Sequence, residues 1–312
     1  MALKIDNVVV HTTATETIMQ NVEAFTAGTA GAITLGTQMI SGDMLSESML
    51  SEISSLIARR DIAADTDATV KGVSSRDENT IKIYWGTGAI EFKTVDAKRY
   101  GSDAAAFSAA VGEQIGKGIV NYALNAGITA VRASIETQST LVTGTGVAAI
   151  TPTLLNSSLK PFGDASGSIV AFVMNGATYN DLVGQAIANG SADVAYGAIY
   201  TGTTGSLGRP VFVTDSAGLG MTAGVAVLGL TAGAVSIIES EAREFLSDIV
   251  TGKENIKYRI QAEGSFALNV KGYSWKTASG VNPTLATLGT KTNWELKATD
   301  KKSSAGVLLN VL

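Results

Sequence analysis

The chain has 312 residues, 45% of them hydrophobic and 16% charged, with a net charge of −5, one histidine and no cysteine. That length makes two domains or one large one, and the composition excludes disulfide scaffolds, thiolate metal sites and cysteine nucleophiles. With His11 as the lone imidazole, metal and general-base chemistry are left to carboxylates. The negative balance argues against a surface that grips nucleic acid, although nine Lys/Arg against four acids make residues 251–302 +5 and the rest of the chain −10.

The N-terminus, MALKIDNVVVHTT, lacks the basic lead and apolar core of a signal peptide. Residues 24–42 are small and uncharged without a firm period, so 1–42 reads as an extended arm. From Asp43, Leu45, Met49, Ile53, Leu56 and Ile57 fall at helical spacing and predict a helix over 43–59. A polar, acidic stretch, 61–79, leads into two alternating runs, Thr80–Trp85 and Ala89–Thr94, separated by Gly86-Thr-Gly88. This is a hairpin signature, and its charged flanks make it a projecting one that must lie on something else.

Ser102-Asp103 caps a helix predicted to run to about Asn125 and stop at Gly127, with Phe107, Val111, Ile115, Ile119 and Tyr122 on one face. Gly112, Gly116 and Gly118 weaken it and permit a neighbouring backbone to come close. From Thr137 to Ile238 only six of 102 side chains are charged, which marks the clearest domain boundary. Within it Ser168–Met174 reads as a buried strand, Thr178 starts a helix that ends at Gly190, and Pro210–Thr214 is another strand, together an inserted α/β layer. Ser216–Ile238 is uncharged and holds two GxxxG spacings, but its five glycines and unflanked ends suit two buried strands, Val225–Leu230 and Val235–Ile238, better than a membrane span. Ser240–Val250 is predicted as an amphipathic helix stopped by Gly252. Between 257 and 271 every even position except Gly264 is apolar, the pattern of a strand of roughly 40 Å that Gly264 can bend, with its even face on the long helix.

The chemistry motifs fail one by one. Gly112–Lys117 is one residue short of a phosphate loop, and the GxGxxA strings at Gly144–Ala149 and Gly218–Ala223 have no acidic residue at the required distance. The clusters Asp61/Asp65/Asp67, Asp77-Glu78 and Glu239/Glu241/Glu244 lack the rest of a metal loop and read as solvated surface. No catalytic, cofactor-binding or metal-ligating residue is assigned. A domain with so little charge needs its surface covered, and the physical reading is assembly with other copies of the chain, the hairpin residues Ile81, Ile83, Trp85, Ile90 and Phe92 being the candidate subunit interface.

The stretches SIVAFVMNGATYNDLV (168–183), LGRPVFVTDSAGL (207–219) and IKYRIQAEGSFALNVKGYSWKTASGVNPTLATLGTKTNWEL (256–296), in this order of elements, resemble the major capsid (coat) proteins of tailed bacteriophages. The resemblance implies an α+β fold divided as an N-terminal arm (1–42), a helix (43–60), an extended hairpin loop (61–98) lying over a neighbour, a peripheral domain with a spine helix (99–136, the helix 102–126), an axial α/β domain (137–238) and a return to the peripheral domain with long strands (239–312). It implies hexamers and pentamers closing an icosahedral shell around double-stranded DNA, touched weakly and non-specifically, in a virion assembled in the host cytoplasm. No long charged helical segment precedes the shell domain, so a separate scaffolding protein is expected, with a portal, and neither a membrane nor a small-molecule substrate. No residue set matches the Lys–Asn cross-links of some members. An encapsulin-like compartment shell would share the fold; a carboxylate-based α/β enzyme is the alternative of another class.

Overall fold

The computed structural model describes residues 6–50, 59, 62–63, 75–100, 104–146, 148–188, 209–252 and 254–312. They form two sheets joined by one long helix.

The expected arm is instead a helix and a strand. Asp6 caps helix α1 (Asn7–Gly28) by accepting from the Val8 N–H, and Val10, Ala14 and Ile18, spaced four apart, are its buried stripe. Its threonine-rich remainder blurs the period. Strand β1 (Ile33–Thr37) follows, parallel to β9 (Val235–Val250). The predicted helix 43–60 is also corrected: Met44–Leu50 is strand β2, antiparallel to β3 (Ser75–Gly86) from Met44↔Ile81 to Leu50↔Ser75, so strand pairing overrides the apparent helical spacing. The rest of that prediction, 51–58, and the Asp61/Asp65/Asp67 cluster lie outside the described residues.

Strands β3 and β4 (Ile90–Lys93) do not form the predicted hairpin. Ile81–Gly86 lies opposite Leu268–Glu263 of β10 (Lys257–Val270), and Ile90–Lys93 lies opposite Ile260–Lys257. The chain therefore continues straight, and residues 87–89 oppose only Gln261 and Ala262: Gly86-Thr-Gly88 is a bulge. Thr87 closes it, its N–H donating to the Ala262 carbonyl and its Oγ1 accepting from the Ala262 N–H.

Helix α2 (Thr94–Tyr100) leads to α3 (Ala104–Glu136), 33 residues or roughly 50 Å. It passes the expected stop at Gly127, where an added Cβ would sit 2.9 Å from Ile237, so this glycine serves close packing and not a cap. The expected close approach is found at Gly112 and Gly116, where a Cβ would lie 2.5 Å from the Val10 carbonyl and 2.9 Å from that of Ala14: α1 is seated backbone to backbone on α3. Gly118 faces open space.

The predicted helix 240–250 is the outer half of β9, paired with β10 from Val250↔Lys257 to Val235↔Val270. Two register shifts between Glu239 and Glu244 interrupt its alternation there, which is how a strand came to imitate a helical stripe. The long even-faced strand is borne out: Tyr258, Ile260 and Ala262 pack with Val10, Ala14 and Ile115, and Phe266, Leu268 and Val270 join the main core.

The smaller sheet orders as β5 (Val142–Thr143), β13 (Gly306–Val311), β8 (Val225–Thr231), β6 (Ile169–Met174) and β7 (Val211–Val213), flanked by α4 (Pro152–Ser157) and α5 (Gly176–Ala188). Two boundaries shift. The C-terminal strand belongs to this sheet, not to the larger one, and the adjacent strands β8 and β9 fall in different sheets, so Ala232–Ala234 is a crossover. Arg132 of α3 braces the junction, donating to the carbonyls of Gly218 (2.8 Å) and Gly289 (3.1 Å). At Gly146, φ of +76° and the Ala223 carbonyl 2.2 Å from a would-be Cβ explain the first GxGxxA string as tight packing. Residues 272–296 build one corner: β11 (Tyr273–Trp275) pairs with β12 (Trp294–Leu296), the Trp275 and Trp294 rings meet edge to face at 5.1 Å, and their indole N–H groups donate to Gly280 and to Leu288 of the short helix α6 (Leu285–Leu288).

Candidate assembly surface

The bulge at Thr87 decides where the five candidate interface residues point. Before it the odd positions Ile81, Ile83 and Trp85 face α3; after it, one extra residue having reversed the alternation, the even positions Ile90 and Phe92 do so. All five therefore turn toward the subunit's own helices, a correction to the reading of a projecting apolar hairpin. Ile81 and Ile83 are fully buried, Phe92 packs on Phe107 at 4.9 Å and near Tyr258 at 6.0 Å, and Trp85 lies across Gly264 at the edge of a cleft of ≈ 310 Å³ between α1, α3 and the sheet. Ile90 alone keeps a third of its surface in solvent.

The opposite face of the larger sheet is ionic. Glu91 receives Lys257 at 3.0 Å and the Arg259 guanidinium, and these, Arg259 first, hold its carboxyl below the usual range. Lys82, almost completely covered, donates to Glu241 at 2.6 Å, and Ser265 donates to the second oxygen of the same carboxylate. This hydrogen bond raises Lys82 and lowers Glu241, so both stay charged. Covering a lysine against a half-exposed carboxylate fixes register more than it adds stability.

The β2–β3 ladder extends the larger sheet from Met44↔Ile81 to Leu50↔Ser75. Near its last rung it is tied down by Arg76, which donates to the Lys297 carbonyl at 2.8 Å, and midway by Asn79, whose backbone N–H and side chain reach Ser274 and Trp275. Glu47 and Glu78 are direct cross-strand partners. Burial, with the Glu47 charge adding to it, pushes Glu78 up despite the Gly272 N–H it accepts. A carboxyl raised in the folded state contributes stability below the ordinary carboxylate range and loses it as pH rises through the raised value. Glu78→Gln, which keeps an acceptor for Gly272, is therefore expected to raise the melting temperature at pH 7 by a few degrees. The gain should vanish below about pH 4, where the native residue is itself protonated; thermal melts across pH check it.

Sequence reasoning missed Leu246, Ile249 and Ile256, which stand exposed at the far end of β9 and β10. Reading 240–250 as a helix placed Leu246 and Ile249 in a core stripe. Alternation continued from Val235 puts Leu246, opposite Gln261, on the face away from the helices; Ile249, opposite Tyr258, is on the core side and is exposed at the last rungs of the ladder. His11 meets Phe245 edge-on at 5.2 Å. Among the described residues no group of three or more His, Cys, Asp or Glu is placed to hold a metal, and no helix is long and apolar enough to cross a membrane.

The profile of the Gp13-like family, described as major capsid protein 13-like, matches residues 2–308. Among solved structures, the capsid of cyanophage P-SCSP1u superposes with a TM-score of 0.51 at 12% identity, over 91% of this chain and 87% of that one. A structure from Mycobacterium phage Adephagia gives 0.55 at 10% identity over 91% and 89%, and the capsid of Myoviridae phage XM1 gives 0.51 at 11% over 77% and 86%. At such identities the likeness is one of fold. No curated protein matches the sequence.

Proposed function

The chain belongs to the Gp13-like family of major capsid proteins, and on that footing we propose how its parts divide the work of building a shell. Its role is structural: it is a capsid subunit that associates with its own kind, and its place is the virion capsid. The family match along almost the whole chain carries this conclusion, and it disfavours a compartment shell or a carboxylate enzyme.

In the reading proposed here, the larger sheet with α1 and the first half of α3 is the peripheral domain. The smaller sheet with the second half of α3 is the axial domain, grouped at the centres of hexamers and pentamers in an icosahedral shell. The scarcity of charge over 137–238 supports that placement, since interface cores are poor in charge. The β2–β3 ladder is the root of the loop that lies over a neighbour, and this replaces the 61–98 hairpin in that role. Double-stranded DNA is enclosed and touched weakly, in keeping with the net charge of −5, while a scaffolding protein and a portal act as separate partners during assembly in the host cytoplasm.

Purified chain, alone and with a scaffolding protein, is expected to give capsomers or closed shells in negative stain and fast-sedimenting species. Monomer under every condition overturns the reading. Replacing residues 51–74 by a short turn should leave a folded subunit with a cooperative thermal transition while shells are lost. Deleting 80–94 is no test of the loop, because it strips β3 and β4 from the subunit's own core.

A further inference from the structure

The larger sheet has two strand edges that no described strand covers. Beyond Glu239, where β1 ends its pairing, β9 runs on to Val250 with β10 on one side and, among the described residues, no strand on the other. Across β10, at the same end of the sheet, β4 has no described strand on its outer side. Both strands are antiparallel to β10 and so run parallel to each other, which lets a copy displaced sideways set them side by side.

Their charges differ. From Glu239 to Val250 there are four acids, Glu239, Glu241, Glu244 and Asp248, against Arg243, a net −3. From Ile90 to Tyr100, Lys93, Lys98 and Arg99 stand against Glu91 and Asp96, a net +1; Glu91 is already held by Lys257 and Arg259, Arg99 has Asp96 at 3.7 Å, and on the other edge Glu239 is held by Arg243 and Glu241 by Lys82, which leaves Glu244 and Asp248 without a cation of their own subunit among the ion pairs of the described residues. Glu244 and Asp248 on one edge, and Lys98 and Arg99 on the other, are exposed. Each edge also leaves apolar side chains in solvent, Leu246 (68%) and Ile249 (44%) on β9 against Val95 (47%) and Ile90 (37%) on the other.

We propose that these edges are the two halves of one contact between copies, the β4–α2 edge of one lying along the β9 edge of the next. The inference rests on the shell reading above and names the surfaces that meet. An uncovered strand edge is a template for another backbone, and here charges of one sign guard it against pairing with itself. Because the two edges differ, the contact is head to tail, and a head-to-tail contact whose rotation closes makes a ring. Opposite charge fixes which edge meets which.

Charge reversal tests it. E244K/D248K and K98E/R99E are each expected to fold as wild type by circular dichroism and to lose capsomers and shells in sedimentation, while the four changes in one chain restore them. Mixed in equal amounts, the two reversed chains should build rings in which they alternate, which even-membered rings permit and odd-membered rings do not. With wild type assembling, either reversed chain assembling at wild-type yield, or the combined chain failing to recover, overturns this pairing and leaves the shell reading standing. Wild type that stays monomeric overturns both. A second measurement is independent of charge, since the chain has no cysteine: V95C and L246C in one assembled chain, treated with a short bismaleimide, should give a ladder of covalent oligomers that neither single variant gives. Absence of the ladder from assembled shells overturns the proposal.

Discussion

Leu268→Lys is expected to leave no folded subunit at room temperature. Leu268 is fully buried in β10, its neighbours across the two ladders are Ile81 and Ile237, and it belongs to the main core. An ammonium there has apolar side chains on both strands beside it. The nearest example of a tolerated buried lysine, Lys82, survives because Glu241 is 2.6 Å away on the opposite face. An unpaired buried charge costs several kcal/mol, a large part of the ~5–15 kcal/mol that a domain has in total. Phe266→Ala, on the same face and packed near Tyr122, should cost about 3–5 kcal/mol. Lys257→Ala and Asn269→Ala, pointing the other way, should stay within about 0.5 kcal/mol. Urea melts of the isolated subunit check the series, and sensitivity at the odd positions would mean that the register is wrong.

Gly112→Ala should detach the N-terminal helix even though alanine is the better helix former by ~1 kcal/mol. The new methyl would stand 2.5 Å from the Val10 carbonyl, where backbone and not a flexible side chain must move. Overpacking of this kind costs about 1–3 kcal/mol, and limited proteolysis should then cut within residues 7–28. Gly118→Ala, in open space on the same helix, is the control and should stabilise by up to ~1 kcal/mol. If both changes behave alike, α1 is not held by this close approach.

What could be read from the residues, and what could not, divides along physical lines. The spine helix, the strand over 257–271, the inserted α/β layer and the glycine approach on α3 were legible because each is declared locally, by period or by composition. Met44–Leu50 and Ser240–Val250 were misread as helices because their identity is set by partners distant in the chain, β3 for one and β10 for the other, and a bulge disguised the period of the second. The interface residues failed for a related reason. The alternation in 81–92 was real, but an extra residue at Thr87 turned both halves toward the same helix, and two apolar runs flanking Gly-Thr-Gly cannot by themselves tell a bulge from a turn.

The place of β13 imposes an order in time. Residues 306–311 lie between β5 and β8, bonded to both, with Val307, Leu308 and Val311 fully buried. A ribosome adding ~5–20 residues each second makes β5, α4, β6, α5 and β8 well before the strand that closes their sheet. Until then the nascent chain carries an open seam through its charge-poor half. A subunit made only as far as β12 thus has its smaller sheet open along β8, and whatever that sheet offers a neighbour stays unfinished until residues 306–311 are added.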